Sequence, residues 1–464
     1  MTTIENPMGT QPIKKLLMQL AIPAMIANVV NALYNIVDQI FIGQGVGYLG
    51  NAATNIAFPI TTICLALGLM TGVGAASNFN LELGRKEVEK ARRIAGTAVV
   101  QLIVMGIAVC VLVQIFLAPL MQLFGATDQI FDYAMEYSRI TAYGIPFFLF
   151  STGFNPLVRS DGRATFSMMA IIVGAVLNTV LDPIFIFVFQ MGIAGAAWAT
   201  VISQMVSALL LFAYIPKFRS VKFQWEDFIP HMKQVEAIAA LGLTSFIFQI
   251  SALIVQIVSN NLLKTYGAMS IYGSEIPIAV GGIVSKVFVI FIALIIGMTQ
   301  GVQPIVGYNY GAKYYERVRQ TIFLALKIGF GLSFVTWAVF EIFPLQIIQL
   351  FGNGNDLYFE FGIRYMRYFM LFTLINGITI LITTFFPAIG KAKTGAFLSL
   401  ARQLLILLPV MLLMTYIFGV EGMMFATPVS DVISLVLCLF FFKRELHDIH
   451  RKEELSFNKI IIRE

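Results

Sequence analysis

Charge is scarce in this sequence. Asp, Glu, Lys and Arg together supply 12% of its 464 residues, about half the ~25% usual in a soluble domain. Histidine is rarer still: His231, His447 and His450 all fall in polar segments and offer no metal site. The three cysteines, Cys64, Cys110 and Cys438, sit inside apolar runs with no ligand spacing, and read as packing residues. No Walker motif is present, so ATP does not drive this protein directly. The glycine-rich run Gly43 to Gly47 follows an apolar helix rather than a strand and carries no nucleotide-binding signal. The segment Met1 to Gln11 has no basic start and no small-residue cleavage site, so the first apolar run is expected to be a retained helix.

Apolar sequence fills the space that charge leaves. Hydrophobic residues make up 58% of the chain, in runs long enough to cross a bilayer. The expected fold is an all-α polytopic membrane protein of twelve transmembrane helices, six between residues 16 and 214 and six between 236 and 442. The net charge of +6 does not point to nucleic acid, because the basic residues sit in short inter-helix loops. Both termini and the segments 84–93, 158–163, 215–235, 311–319 and 387–393 hold 24 of the 31 Lys and Arg; the opposite loops hold only Lys264. That bias predicts an inner-membrane protein with both termini in the cytoplasm.

The chain is also written twice. Gly192 to Thr200 (GIAGAAWAT) and Gly419 to Thr427 (GVEGMMFAT) match at an offset of 227. Phe124-Gly125 with Phe351-Gly352, Gly162 with Gly390, Gly68 and Gly72 with Gly297 and Gly301, and Asn80 with Asn309 follow at nearly the same spacing. Six helices per repeat is an even number, so the two lobes share one orientation and are related by an axis along the membrane normal. The expected division is an N-terminal lobe at 1–215, a cytoplasmic linker at 216–235, a C-terminal lobe at 236–443 and a cytoplasmic tail at 444–464. Two like lobes in one chain suit a monomer with its substrate path between them.

Polar residues inside apolar helices are costly and point to function. Asp38 in the first helix is preceded by Asn28, Asn31, Tyr34 and Asn35, and positions 28, 31, 35 and 38 share a face. The fifth helix carries Asn178 and Asp182 one turn apart, followed at once by Pro183, which leaves the Thr179 carbonyl without its helical donor. The sixth adds Thr200. Two carboxylates close together in a low dielectric do not both ionise unless a cation replaces the proton. Asp38, Asn178, Asp182 and Thr200 therefore form a candidate coupling site for H⁺ or Na⁺. The repeat places Ser259 opposite Asp38 and Leu408 opposite Asp182, so the fold itself does not require the acids. Asp431 in the last helix is expected on the second lobe's cavity or paired with a base such as Lys286. Gln249, Gln256 and Asn260 form a weaker stripe on the seventh helix and, with Asn31, Tyr34 and Asn35, are expected to face substrate. No metal-ion cofactor is expected beyond a coupling Na⁺.

Leu33-Tyr34-Asn35-Ile36-Val37-Asp38, the run Leu177-Asn178-Thr179-Val180-Leu181-Asp182-Pro183, and Gly301 to Lys313 resemble the multidrug and toxic compound extrusion family. The likeness spans nearly the whole chain and is strongest to the prokaryotic branch whose acids lie in the N-lobe. It implies a cation-coupled antiporter that exports cationic amphiphilic drugs by alternating access. It also implies a cavity-facing role for Asn155 and a bend of the first helix at Pro23. The alternative within the superfamily is a lipid-linked oligosaccharide flippase, which tends to have fourteen helices and a basic cavity. A membrane enzyme would need a catalytic cluster near one interface, and none is evident. A channel would normally build its filter from oligomeric symmetry rather than from a duplicated chain.

Overall fold

The protein is described by a computed structural model covering residues 6–351 and 354–461. Among the described residues the long helices group into twelve spans. In the first lobe they are α1 (Ile13–Gly45), α2 (Tyr48–Gly84), α3 (Val88–Ile115), α4 in two pieces (Asp128–Ala142 and Ile145–Ser160), α5 (Ala164–Pro183, extended by a π-turn at Ile184–Val188) and α6 (Gly192–Phe212). In the second they are α7 (Met232–Ala268), α8 (Glu275–Gly311), α9 (Tyr315–Ile342), α10 in two pieces (Asp356–Met370 and Thr373–Ala388, bent by 42°), α11 (Ala392–Leu400, a π-helical stretch Ala401–Leu407, then Leu408–Phe418) and α12 (Gly422–Ile461).

The duplication is visible in the backbone. The start and end of α2, the start and end of α3, and the short helix Leu117–Leu123 recur 227 positions later at α8, α9 and Pro344–Phe351. The turns recur too. Lys86 and Lys313 have φ of 66° and 62°, and Gly162 and Gly390 have φ of 79° and 84°, a left-handed conformation that stops one helix and aims the next. Gly352, the repeat partner of Gly125, lies outside the described residues, as do the ends of the chain at 1–5 and 462–464.

The linker is not a free tether. Asp161, at the end of α4, accepts from the Tyr214 hydroxyl at 2.7 Å and from the backbone N–H groups of Arg219 and Ser220 at 2.9 and 2.7 Å. Arg92 on α3 pairs with buried Asp227 at 2.8 Å. The segment from Ile215 to Phe228 is thus fastened to the first lobe before α7 begins at Met232. At the far end, α12 does not stop near 442. It continues to Ile461 as a charged helix, held by an ion pair of Lys391 with Glu445.

Among the described residues the lobes pack together at the end where the basic loops are. There α2 packs on α7 and α1 on α8. A Cβ on Gly242 would lie 1.7 Å from the Met70 carbonyl oxygen, and one on Gly74 would lie 1.9 Å from that of Ile238, so only glycine permits this approach. Asn78 Nδ2 donates to the Ala237 carbonyl at 2.9 Å, Gln303 Nε2 to Ser77 Oγ at 2.7 Å, and Asn28 Nδ2 to Gln300 Oε1 at 3.0 Å. A strap ahead of α1 crosses the same seam: Asn309 Nδ2 donates to the Met8 carbonyl at 2.9 Å, and Arg317 to that of Gln11 at 2.7 Å. Toward the other end the facing helices part, and Asn31, Asn35, Gly282 and Lys286 are exposed. The molecule is a V, shut at the basic-loop end and open at the other.

Candidate functional site

Asp182 and Asn178 stand one turn apart on the same face of α5 and point into the first lobe, 0% and 1% exposed. Pro183 and the π-turn Ile184–Val188 follow immediately, so the carboxylate sits where the regular α-helix ends. Asn178 Nδ2 lies 3.5 Å from Asp182 Oδ1 and 3.4 Å from Thr200 Oγ1, which brings α6 into the group. From α1, Asp38 reaches the same place, and its carboxyl group meets that of Asp182 within hydrogen-bonding reach. The four residues singled out in the sequence thus stand together.

Three buried oxygens here have no hydrogen donor among the described residues: Asp38 Oδ1, Asp182 Oδ2 and Asn178 Oδ1. Buried acceptors are rarely left so, and each one costs stability. Carboxylate, amide and hydroxyl oxygens crowded together, without sulfur or imidazole, suit a proton or a hard cation. The donor set therefore fits the H⁺ or Na⁺ expected of it.

A fifth residue joins them that the sequence did not announce. Tyr137 on α4 brings its hydroxyl beside Thr200 and lies within electrostatic range of Asp38, Tyr34 and Asp182. Near the start of its helix, a tyrosine reads as an ordinary interfacial anchor. Only the packing of α4 against α6 shows that it turns inward.

The remaining candidates are dispersed. Asn31 and Asn35 are exposed on α1, on the open side of the V, while Tyr34 turns toward the acids. Gln249 and Gln256 lie on the face of α7 that carries Gly242, so they line the gap between the lobes, with Gln256 bonded to Asn260 at 3.0 Å. Asn155, expected on the cavity, is instead 4% exposed, donating to the Ser151 carbonyl at 3.0 Å and accepting from Ser167, which also receives Arg159 at 3.1 Å. Ser167 lies about 16 Å along α5 from Asn178 at 1.5 Å per residue, so Asn155 belongs to a separate buried relay toward the basic-loop end. Asp431 pairs neither with Lys286 nor with the gap. It is 6% exposed and takes Asn376 Nδ2 at 3.3 Å on both oxygens, while Asn376 Oδ1 accepts from Arg402, whose positive charge acts on the acid at a distance. Pro23 lies inside α1, which runs through it as one helix.

Comparison with known proteins gives a consistent picture. The MatE family model matches residues 23–184 and 251–413, one match in each lobe. The chain is 25% identical over 434 residues to the multidrug export protein MepA of Staphylococcus haemolyticus, covering 92% of each protein. It is 26% identical over 423 residues to MepA of Staphylococcus aureus strain MSSA476, covering 90% of this chain and 91% of that one. Among solved structures, an outward-facing multidrug resistance MATE family transporter superposes with a TM-score of 0.90 at 24% identity, over 97% of this chain and 100% of that one. A MATE structure in a bent conformation superposes at 0.87, also at 24% identity, over 95% and 97%.

Proposed function

The chain belongs to the MatE family, and on that premise we propose that it is a cation-coupled antiporter exporting cationic amphiphilic drugs or toxic organic compounds. Protons or sodium ions enter as the drug leaves. The observation that carries this reading is the cluster of donor-less buried oxygens on Asp38, Asn178 and Asp182. A site lined by acceptors takes up a cation in one state and gives it up in another. The substrate path is the gap between the lobes, so a monomer suffices. The basic-loop end is the cytoplasmic one, both termini lie there, and the V opens outward.

The physics of the exchange is linkage. A ligand shifts a conformational equilibrium only by its differential affinity for the two states. Cation and drug compete through that equilibrium without touching, because the acids point into the first lobe while the gap lies outside it. The coupling is reciprocal, so drug weakens cation binding by the factor by which cation weakens drug binding. Motion of α1, which carries Asp38 at the site and Met25 and Ala21 at the seam, is the proposed transmission.

Drug binding to the purified protein, titrated against pH and against sodium, tests this. If protons couple, affinity rises with pH and Asp182→Asn flattens the dependence. If sodium couples, added sodium releases drug at fixed pH. Binding indifferent to both would defeat the antiport mechanism and favour the flippase.

A further inference from the structure

The outer half of α8 carries an ammonium group with no carboxylate partner among the described residues: Lys286, which is exposed. A charged side chain this far inside an apolar span is costly unless water or a ligand meets it. Where it points is settled by its own helix. Val280, Val284, Val287, Phe291 and Ile295 bury one face of α8 in the second lobe's core. The side turned away from it carries Gly282, Lys286, Ala293 and Gly297. At its lower end this stripe is pressed against the first lobe, Gly297 on Met25 and Gly301 on Ala21. Lys286 lies within about 20° of the direction of Gly297 and about 16 Å further toward the open end. It therefore faces the gap between the lobes and not lipid.

Its depth is informative. Along α1, Asp38 stands about 20 Å from Met25, so Lys286 and the acid cluster lie at nearly the same level on opposite sides of the V. The acids are turned into the first lobe; the lysine looks into the gap. On the adjacent α7, Gln249 and Gln256 share the gap-facing side with Gly242 and bring amide donors to the same wall. Val289 on α8, 52% exposed, adds apolar surface beside them. Asp431, buried in the second lobe, is already committed to Asn376 and Arg402. One wall of the substrate path thus offers a positive charge, amide donors and apolar surface, which is the chemistry that receives an acidic group on an amphiphile.

We propose that Lys286 anchors an acidic group of the transported molecule, so that amphiphiles carrying a carboxylate or phosphate beside their cationic group, zwitterions above all, bind better than simple organic cations. This rests on the export reading for the location of the path, but not on which ion drives it.

The test uses a matched pair of probes: ciprofloxacin, a zwitterion, and its methyl ester, which keeps the amine and loses the carboxylate. Binding to the full-length protein in phosphatidylcholine nanodiscs is measured for wild type, Lys286→Met and Lys286→Arg. Lys286→Met should weaken ciprofloxacin about tenfold, the scale of one charge-assisted contact, and leave the ester within about twofold; Lys286→Arg should restore most of the loss. The unchanged ester shows that the variant is folded. Equal weakening of both probes, no weakening of the acid, or a wild type that binds neither would overturn the proposal. Nanodiscs containing phosphatidylglycerol separate the sources of the acid: competition with ciprofloxacin in wild type but not in Lys286→Met assigns the lysine to a lipid headgroup, and undiminished affinity assigns it to a free anion. Selectivity at Lys286 that persists while pH and sodium have no effect would sink the coupled-antiport reading and leave this one standing.

Discussion

Asp38 and Asp182 share a single pocket, and their contributions should not add. Asp38→Asn and Asp182→Asn are each expected to abolish drug export in cells at unchanged membrane abundance. The double variant should be no worse than either single, because residues acting as a unit are non-additive. Full activity in either single variant removes that residue from the mechanism. These two acids were legible in the sequence because an ionised group in an apolar run has few bland explanations. Tyr137 was not, since a tyrosine near a helix end is common in any membrane protein. Asn155 shows the reverse failure. Its position matched a motif, but its amide is occupied by Ser151 and Ser167 in this conformation, and no sequence spacing reports which neighbours an amide will find.

Helices were easier to read than their contacts. Hydropathy located the twelve spans, yet placed the end of the last near 442. Past that point the chain leaves the apolar layer without leaving the helix, because Lys, Arg, Glu and Leu are good helix formers in water as well. Equivalent glycines illustrate the limit. Gly68 and Gly72 match Gly297 and Gly301 in the repeat, but the first pair packs inside its own lobe against Thr152 and Gly153, whereas the second packs across the seam on Met25 and Ala21. A repeat fixes positions within a lobe, and the asymmetry of the V decides what those positions meet. The tightest seam contact gives a prediction. Gly242→Ala places a methyl 1.7 Å from the Met70 carbonyl, so the seam must open, at an overpacking cost of about 1–3 kcal/mol. A cysteine at Ser77, fully buried in this seam, should label faster from the basic-loop side in Gly242→Ala. The same reporter should be unmoved in Gly331→Ala, where a Cβ meets nothing within 4 Å. Unchanged labelling in Gly242→Ala would mean that the seam does not hold the V shut at the basic-loop end.

At the scale of the molecule, orientation follows from where the positive charge lies. Single cysteines within residues 84–93 should react with a membrane-impermeant reagent in inside-out vesicles and stay unlabelled in intact cells. Labelling from outside would reverse the proposed topology. The two-lobed plan was readable early because duplicated turns leave duplicated glycines. The open state was not, since hydropathy reports which segments span and not how far apart the lobes stand.

The manner in which the lobes are joined limits how they could move under the proposed mechanism. The linker is fastened to the first lobe through Asp161 and Arg92 as far as Phe228, which leaves only the few residues before Met232 to flex. On the other side of the seam, the strap at Met8 and Gln11 is held by Asn309 and Arg317. Two fixed points define a line. A rigid body held at two points would keep one degree of freedom, rotation about the axis through them. Side chains close to that axis travel little, and those at the mouth of the V travel furthest.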